Sequence, residues 1–161
     1  MRLSTRARYA LRMMTVFARH ANGNHVVSLN EVSKEAAISR RYLEQLVIGL
    51  KNGALIRGRS GKGGGYALAR PADQINLRQI IESAIGPINV VECVLQPEIC
   101  LKADDCECRM LYGLVNERIT SLLDDFVLAD LVDGTRLKDA FAALDVSLPT
   151  GSIEGGPKFE C

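Results

Sequence analysis

The sequence of 161 residues lacks several features that mark common functional classes. It has no tryptophan and only two histidines. It also has no nucleophile–histidine or paired acid–base pattern of the kind that catalysis uses, so we expect a protein that is not an enzyme. No apolar run approaches the roughly 20 residues that a membrane span needs, and no apolar signal segment follows the basic start. We therefore expect a cytoplasmic protein with no membrane partner.

Positive and negative charges are separated along the chain, although the formal net charge is only +1. Residues 1–70 contain thirteen Lys and Arg against three Asp and Glu, a balance of +10. Residues 71–161 contain seven Lys and Arg against sixteen Asp and Glu, a balance of −9. A basic half of this size favours a surface that binds a polyanion, and the alternative is a solvated charged face.

Capping residues and the spacing of apolar side chains predict three helices in the basic half. Ser28 and Glu31 have the spacing of a capping box. The pair Asn52-Gly53 predicts a left-handed end for the third helix, and a short extended piece, residues 25–27, precedes the second. The predicted helices begin at Ser4 or Thr5, at Ser28 and at Ser39, and they end near His20, Ala36 and Gly53.

A glycine-rich segment, SGKGGG at positions 60–65, lies between two β-prone pieces, residues 55–59 and 66–69. Glycine provides the positive φ that a hairpin tip requires, so a β-hairpin is predicted. Three helices and a hairpin follow the order of a winged helix-turn-helix, whose reading helix enters the major groove of DNA. A phosphate-binding loop is excluded because Gly-Lys-Ser/Thr and a surrounding βαβ unit are missing. The predicted fold is mainly α with a small β-hairpin wing.

The first turn of the third helix and the hairpin carry most of the residues predicted to contact DNA. An arginine there can donate two hydrogen bonds to guanine, a contact worth about 1–3 kcal/mol of discrimination. Glu44 has two interpretations: it accepts a hydrogen bond from a cytosine amine, or it pairs with Arg40 or Arg41 in solvent. The hairpin is basic on both arms and at its tip, through Arg57, Arg59, Lys62 and Arg70. The predicted DNA-binding set is Arg6, Arg8, Ser39, Arg40, Arg41, Tyr42, Glu44, Arg57, Arg59 and Lys62.

The acidic half is predicted to contain one medium helix, one long helix and two short ones. The first begins at the cap Asn76 and ends at Gly86-Pro87. Residues 109–126 form a helix about 27 Å long, whose apolar stripe packs either on its own domain or on a twin helix. Shorter helices cover residues 128–132 and 137–144. The side chains predicted to face inward from the first helix are Leu77, Ile80, Ile81, Ala84 and Ile85.

Four of the five cysteines lie within residues 93–108. A disulfide is disfavoured in the reducing cytosol, and reduced thiolates select zinc, copper(I) or iron–sulfur clusters. Structural zinc usually takes pairs of ligands two to four residues apart, whereas the wide spacing here favours a cluster held by a wrapping loop. Scattered thiols without a metal are the alternative. The cysteines in question are Cys93, Cys100, Cys106 and Cys108, and Cys161 lies apart in the tail.

Residues 1–135 resemble the IscR/NsrR/CymR/RirA-type family of bacterial winged-helix transcriptional regulators. The resemblance implies a homodimer that forms through the long helix and binds palindromic double-stranded DNA. Many members carry an iron–sulfur cluster, either 2Fe-2S or 4Fe-4S, on three cysteines that correspond to Cys93, Cys100 and Cys106. Members without these cysteines bind no cluster. The segments that carry the resemblance are MRLSTRARYALRMM, YLEQLVIGLKNGALIRGRSGKGGGYALARP, INLRQIIESAIGP and the three-cysteine loop.

The fourth cluster ligand is the point where this chain departs from the family. Some members use a histidine three residues after the third cysteine, where this chain has Arg109. Others use an acid of the first helix from the partner subunit, where this chain has Arg8. Cys108 is the candidate replacement, and Asp104, Asp105, Glu107 or a small exogenous ligand are alternatives.

These observations predict a DNA-binding transcriptional regulator, a repressor, that is switched by an iron–sulfur cluster in residues 93–108. The predicted organisation is a DNA-binding region over 1–72, a cysteine loop with dimerisation helices over 73–145, and a flexible tail over 146–161. One alternative is a cluster-free winged-helix regulator controlled by a protein partner or by thiol oxidation. A zinc-stapled DNA-binding protein and a small iron–sulfur electron carrier are two further alternatives.

Overall fold

The fold is mainly helical with one antiparallel hairpin. The computed structural model describes residues 3–21 and 25–144. The predicted tail, residues 146–161, and its Cys161 lie outside the described residues. The elements are α1 (Thr5–Arg19), α2 (Leu29–Ala36), α3 (Arg40–Asn52), β1 (Ile56–Arg59), β2 (Gly65–Leu68), α4 (Leu77–Ile85), α5 (Glu92–Leu95), α6 (Glu107–Asp125), α7 (Leu128–Asp133) and α8 (Thr135–Ala143), with 3-10 turns at Ala72–Gln74 and Pro97–Ile99.

Side-chain caps start the first four helices at the predicted positions. The Ser4 hydroxyl accepts from the Ala7 backbone N–H at 3.2 Å. Ser28 and Glu31 form the predicted capping box, with Glu31 accepting from the Ser28 N–H at 2.8 Å. Each such cap satisfies a backbone donor that has no partner within its helix, which contributes about 1 kcal/mol. Ser39 and Asn76 cap α3 and α4 in the same way.

The hairpin and the first three helices form the predicted winged helix-turn-helix. Strands β1 and β2 pair antiparallel, with Ile56 opposite Leu68 and Arg59 opposite Gly65. The segment before α2 adds one bridge, because Val27 and Tyr66 exchange two backbone hydrogen bonds of 2.8 Å. The hairpin is thereby fixed to the entrance of the helix-turn-helix.

One apolar core connects the DNA-binding region to the acidic half. Helix α1 lies at its centre, with Met13, Met14 and Phe17 almost completely buried. The same core includes Ile80 of α4 and Leu128 of α7. Within the described ranges, no helix combines the length and apolar character that crossing a membrane requires.

Two predictions about helix ends and faces are wrong. Gly53 has φ −75° and is not left-handed; the left-handed residue is Ala54, with φ 51°. Gly53 instead permits close packing, because a Cβ there would overlap the Ser83 hydroxyl of α4. Ile85 was predicted to face inward but is exposed, since it is the last residue of α4 and only the preceding turns contact the core.

Candidate nucleic-acid interface and cysteine loop

The first turn of α3 presents arginines on the molecular surface. Ser39 begins the helix, and its Oγ accepts from the Tyr42 N–H at 3.4 Å. Arg40 and Arg41 follow and are both exposed. The Arg41 guanidinium makes no hydrogen bond or ion pair with any residue that the structure describes, so it is available to a ligand.

Glu44 pairs with Arg40, four residues before it on α3. The Arg40 Nε donates to Glu44 Oε1 at 3.1 Å, and Nη1 of the same guanidinium donates to the Asn30 side-chain oxygen at 3.2 Å. Glu44 therefore forms an ion pair with Arg40, as the second of the two interpretations predicts. The sequence analysis did not predict this contact of Asn30. The only sequence signal for it is the position of Asn30 in the first turn of α2, close to the start of α3.

A cleft of about 420 Å³ separates the hairpin from the helix-turn-helix. Arg40, Lys51 and Arg59 line it, together with the Glu44 carboxylate. Three cations in a cleft between the reading helix and the wing suit the phosphate backbone of DNA. Lys51 was not predicted as a DNA contact; it lies in the last turn of α3, where a lysine is common for helix stability alone.

The hairpin carries cations that the protein itself does not use. Arg57, Arg59 and Lys62 are exposed, and their side chains form no hydrogen bond or ion pair among the residues described here. Gly61 and Gly63 at the tip have φ of 100° and 75°, which glycine adopts without strain. The tip therefore turns tightly and leaves its cations free.

Arg70 differs from the other basic residues of the hairpin. Its guanidinium donates to the Gln79 side chain at 2.8 Å and to the Gln74 backbone oxygen at 3.0 Å. These bonds tie the base of the hairpin to the start of α4. Arg70 is thus a structural contact rather than part of the free basic surface.

Helix α1 adds two exposed arginines to the predicted interface. Arg6 donates to the backbone oxygen of Gln45 in α3 at 3.5 Å, and Arg8 donates to the Thr5 hydroxyl at 3.1 Å. Tyr42 is partly buried and packs edge-on against Tyr9, with ring centroids 5.2 Å apart. Its ring therefore also contributes to the packing of α3 on α1.

The three cysteines matched to the family ligands lie on one segment between α4 and α6. Cys93 is in α5, Cys100 follows the second 3-10 turn, and Cys106 precedes the first residue of α6. All three are partly buried and free of disulfides. A small cavity of about 150 Å³ is lined by Cys106, Asp104 and Arg109 among others.

Cys108 occupies a different environment from these three thiols. It is exposed and lies two residues after Cys106, within α6. Cys106 precedes α6 and lines the small cavity, whereas Cys108 does not line it. Cys108 as fourth ligand remains a prediction.

The cysteine side chains are suitable ligands for a soft metal, but they are not arranged around a common point among the described residues. Three thiols on one loop suit zinc or an iron–sulfur cluster. Within residues 3–21 and 25–144, no three His, Cys, Asp or Glu side chains already converge as metal ligands. Metal-binding loops commonly organise when the metal binds, so binding here requires the loop to draw its thiols together.

Comparison with known proteins agrees with the winged-helix architecture. The chain is 34% identical over 158 residues to the transcriptional regulator IscR of Sodalis glossinidius, covering 98% of this chain and 94% of that protein. The solved structure of CymR, described as the global cysteine regulator of B. subtilis, is 32% identical with a TM-score of 0.68, covering 84% of this chain and 98% of that one. IscR of T. potens is 28% identical with a TM-score of 0.63, covering 94% of both chains.

A family model supports the same assignment over most of the chain. Residues 3–134 match the model of the Rrf2 family, described as iron-dependent transcriptional regulators. The similar proteins are regulators of transcription rather than enzymes. The basic helix-turn-helix, its wing and these matches together show that the chain is a transcriptional regulator of the Rrf2 family.

Proposed function

We propose that this regulator binds palindromic duplex DNA as a homodimer and represses transcription, and that an iron–sulfur cluster on Cys93, Cys100 and Cys106 switches its binding. The observation that carries the proposal is the placement of three partly buried thiols on the one segment that joins α4 to α6. Helix α4 contacts the reading helix, so a change in this segment has a short structural route to the DNA-binding surface.

The free cations support the DNA-binding part of the proposal. Arg41, Arg57, Arg59 and Lys62 are exposed on α3 and the hairpin and are not neutralised within the described structure. Cations of this kind displace counterions from DNA, which drives binding and makes it weaken as salt increases.

The exposed face of α6 supports the homodimer. Helix α6 has 19 residues, and Thr120 is its only buried one. Its exposed apolar side chains recur at helical spacing, and Met110 and Leu114 expose 73% and 67% of their surface. A second copy of the same face can cover this stripe. The other exposed members are Leu111, Val115 and Leu122.

The cluster is tested first by anaerobic purification, a visible absorption spectrum, and counts of iron, acid-labile sulfide and zinc per chain. We expect iron and sulfide, and their ratio distinguishes a two-iron from a four-iron cluster. The DNA affinity of cluster-loaded and cluster-free protein is then compared at one fixed salt concentration. A colourless protein that takes up no iron on reconstitution would contradict the proposal, and zinc alone would indicate a structural site.

A cysteine pair provides the matched control. Cys100→Ala should abolish the cluster and leave a folded dimer, whereas Cys108→Ala removes only the exposed thiol within α6. Circular dichroism and sedimentation establish folding and dimer state for both. If Cys100→Ala unfolds the protein, the loop has a structural rather than a sensory role.

A second candidate is a cluster-free regulator that responds to thiol oxidation. The exposure of Cys108 favours it, because accessible thiols oxidise most readily. A similar solved structure is described as the oxidized form of CymR from Staphylococcus aureus, 32% identical with a TM-score of 0.62. Peroxide treatment of metal-free protein followed by mass spectrometry tests it. Altered DNA binding that Cys108→Ala abolishes would favour this candidate.

A further inference from the structure

Side chains from neighbouring helices hold the cysteine-bearing segment at its entrance. The backbone N–H of Ile88 donates to Glu82 of α4 at 3.3 Å, and that of Val90 donates to Asn116 of α6 at 3.1 Å. These bonds fix the chain only as far as residue 90. The segment from Cys93 onward has few side-chain anchors of its own.

Arg109 supplies the anchor within the segment. It lies on α6 one helical turn after Cys106, and its side chain is partly buried. Its Nε donates to the backbone oxygen of Cys93 at 2.8 Å, and Nη1 donates to that of Ala103 at 3.4 Å. One guanidinium thus connects the first cysteine, the stretch before the third cysteine, and α6.

The charge of Arg109 has no acidic counterpart in the described structure. Asp104, which lines the same small cavity, is exposed and forms no ion pair with Arg109. A partly buried cation that shares a cavity with the Cys106 thiol is stabilised when a negative group binds there, and thiolate-bound clusters are negative because each ligand has lost its proton.

We propose that Arg109 is the positioning residue of the cysteine loop: its guanidinium holds the Cys93 backbone at a fixed distance from α6 and places a positive charge beside the bound metal group. This inference deepens the proposed function and rests on it for the metal-bound state. Holding the loop requires the planar guanidinium, because two separate carbonyl oxygens must accept hydrogen bonds from one side chain. Placing a positive charge requires only a cation, so a lysine can fill that role.

Hydrogen exchange of the metal-free protein tests the positioning role independently of any cluster. Arg109→Gln removes two hydrogen bonds from a charged donor, so it should accelerate amide exchange over residues 93–103 by about tenfold or more. Lys102→Gln is the matched control, because it removes one exposed cation from the same segment and should leave exchange unchanged. Equal exchange rates in the two variants would overturn the proposal.

Arg109→Lys separates position from charge. We expect it to exchange as rapidly as Arg109→Gln, while its cluster keeps a reduction potential near that of the wild type. Arg109→Gln should lower the potential, since removing a nearby positive charge disfavours the added electron. An unchanged potential in Arg109→Gln would overturn the charge role. If the wild type binds no iron, the proposed function fails, but the exchange comparison still decides whether Arg109 positions the loop.

Thermal unfolding of all three variants shows whether faster exchange reflects global unfolding rather than loss of the Arg109 contacts. If Arg109→Gln does not fold, exchange in Arg109→Lys decides the positioning role alone. Protection over residues 93–103 equal to that of the wild type in this variant would then overturn it.

Discussion

Most large apolar side chains are buried in the region up to α4, with Leu3, Ile48 and Ile85 as exceptions, whereas many are exposed in the segment that follows α4. Helices α1, α3 and α4 bury Met13, Phe17, Leu46 and Ile80 almost completely. From α5 to α6, by contrast, Leu95, Ile99, Leu101 and Leu114 are all exposed. The first region completes most of its packing within one chain. The second region contains the surfaces that still require a partner, which is where we place the second copy and the metal group.

The two regions also differ in how they use charge. The three acids of residues 1–70 are all engaged, Glu31 in a capping box, Glu35 with Arg19 and His20, and Glu44 with Arg40. Residues 1–70 contain thirteen Lys and Arg against these three acids, so positive charge remains in excess on this half. In the acidic half two arginines pair with acids: Arg78 bridges Glu82 and Asp124 at 3.1 and 3.0 Å, and Arg136 pairs with Asp130 at 3.0 Å. Free positive charge is thus concentrated where DNA is expected.

The largest expected effect is loss of the dimer when a charge is placed on the exposed face of α6. Leu114→Glu buries an unpaired carboxylate in the proposed interface, which costs about 3 kcal/mol or more, equivalent to more than a hundredfold in the dimer dissociation constant. Sedimentation should show monomers, and operator binding should fall in parallel. Val132→Glu, at an exposed apolar position on α7, should remain dimeric. An intact dimer in Leu114→Glu would show that this face is not the interface.

Two glycine substitutions compare the close packing of the first region with the open surface of the second. Gly49→Ala would force a methyl group into the backbone oxygen of Ser83, and overpacking of this kind costs about 1–3 kcal/mol. Gly113→Ala of α6 meets nothing within 4 Å and should stabilise the helix by about 0.5–1 kcal/mol. Chemical denaturation measures both free energies of unfolding. Equal stability in the two variants would contradict the close contact of α3 with α4.

The free cations are tested by Arg41→Ala. If Arg41 contacts a base, binding should weaken by about 1–3 kcal/mol and preference should relax at one operator position. Fluorescence anisotropy with an operator and its single-base variants measures this, at several salt concentrations. An equal loss on every sequence would identify a phosphate contact instead. Arg70→Ala should mainly lower stability, since Arg70 is bonded to Gln74 and Gln79.

The smallest expected effect is a pH dependence at the end of α1. The hydrogen bond with His20 and the bond from Arg19 lower the pKa of Glu35 below its usual value of 4.5. The stabilisation is therefore present above pH 4.5 and is lost as the pH falls through the lowered pKa. Glu35→Gln should reduce stability at pH 6 by less than about 1 kcal/mol, and the difference should vanish in acid. Unfolding curves of both proteins between pH 6 and 3 measure it, and a difference that grows in acid would reverse the assignment.

Most elements could be predicted from the sequence because their signals are local; the short α5, Glu92–Leu95, was not predicted. Ser28 and Glu31 lie three residues apart, and the hairpin is marked by its glycines. The contacts that were missed connect distant positions: Gly53 with Ser83, Arg70 with Gln79, and Arg109 with Cys93. No local pattern shows which glycine a neighbouring helix will approach or which carbonyl an arginine will reach. The exposed apolar face of α6 was visible as a stripe, but its exposure depends on what the rest of the chain leaves uncovered.

The close approach of α3 to α4 has a mechanical consequence. A Cβ at Gly49 would overlap the backbone oxygen of Ser83, so main chain touches main chain where other helix pairs are separated by a layer of side chains that can repack. Such a contact leaves little room for repacking, so we expect a displacement of α4 to move the reading helix with it. Half-sites of an operator are separated by a fixed distance, so in the proposed dimer a small tilt at the far end of α4 would misalign the two reading helices with their grooves.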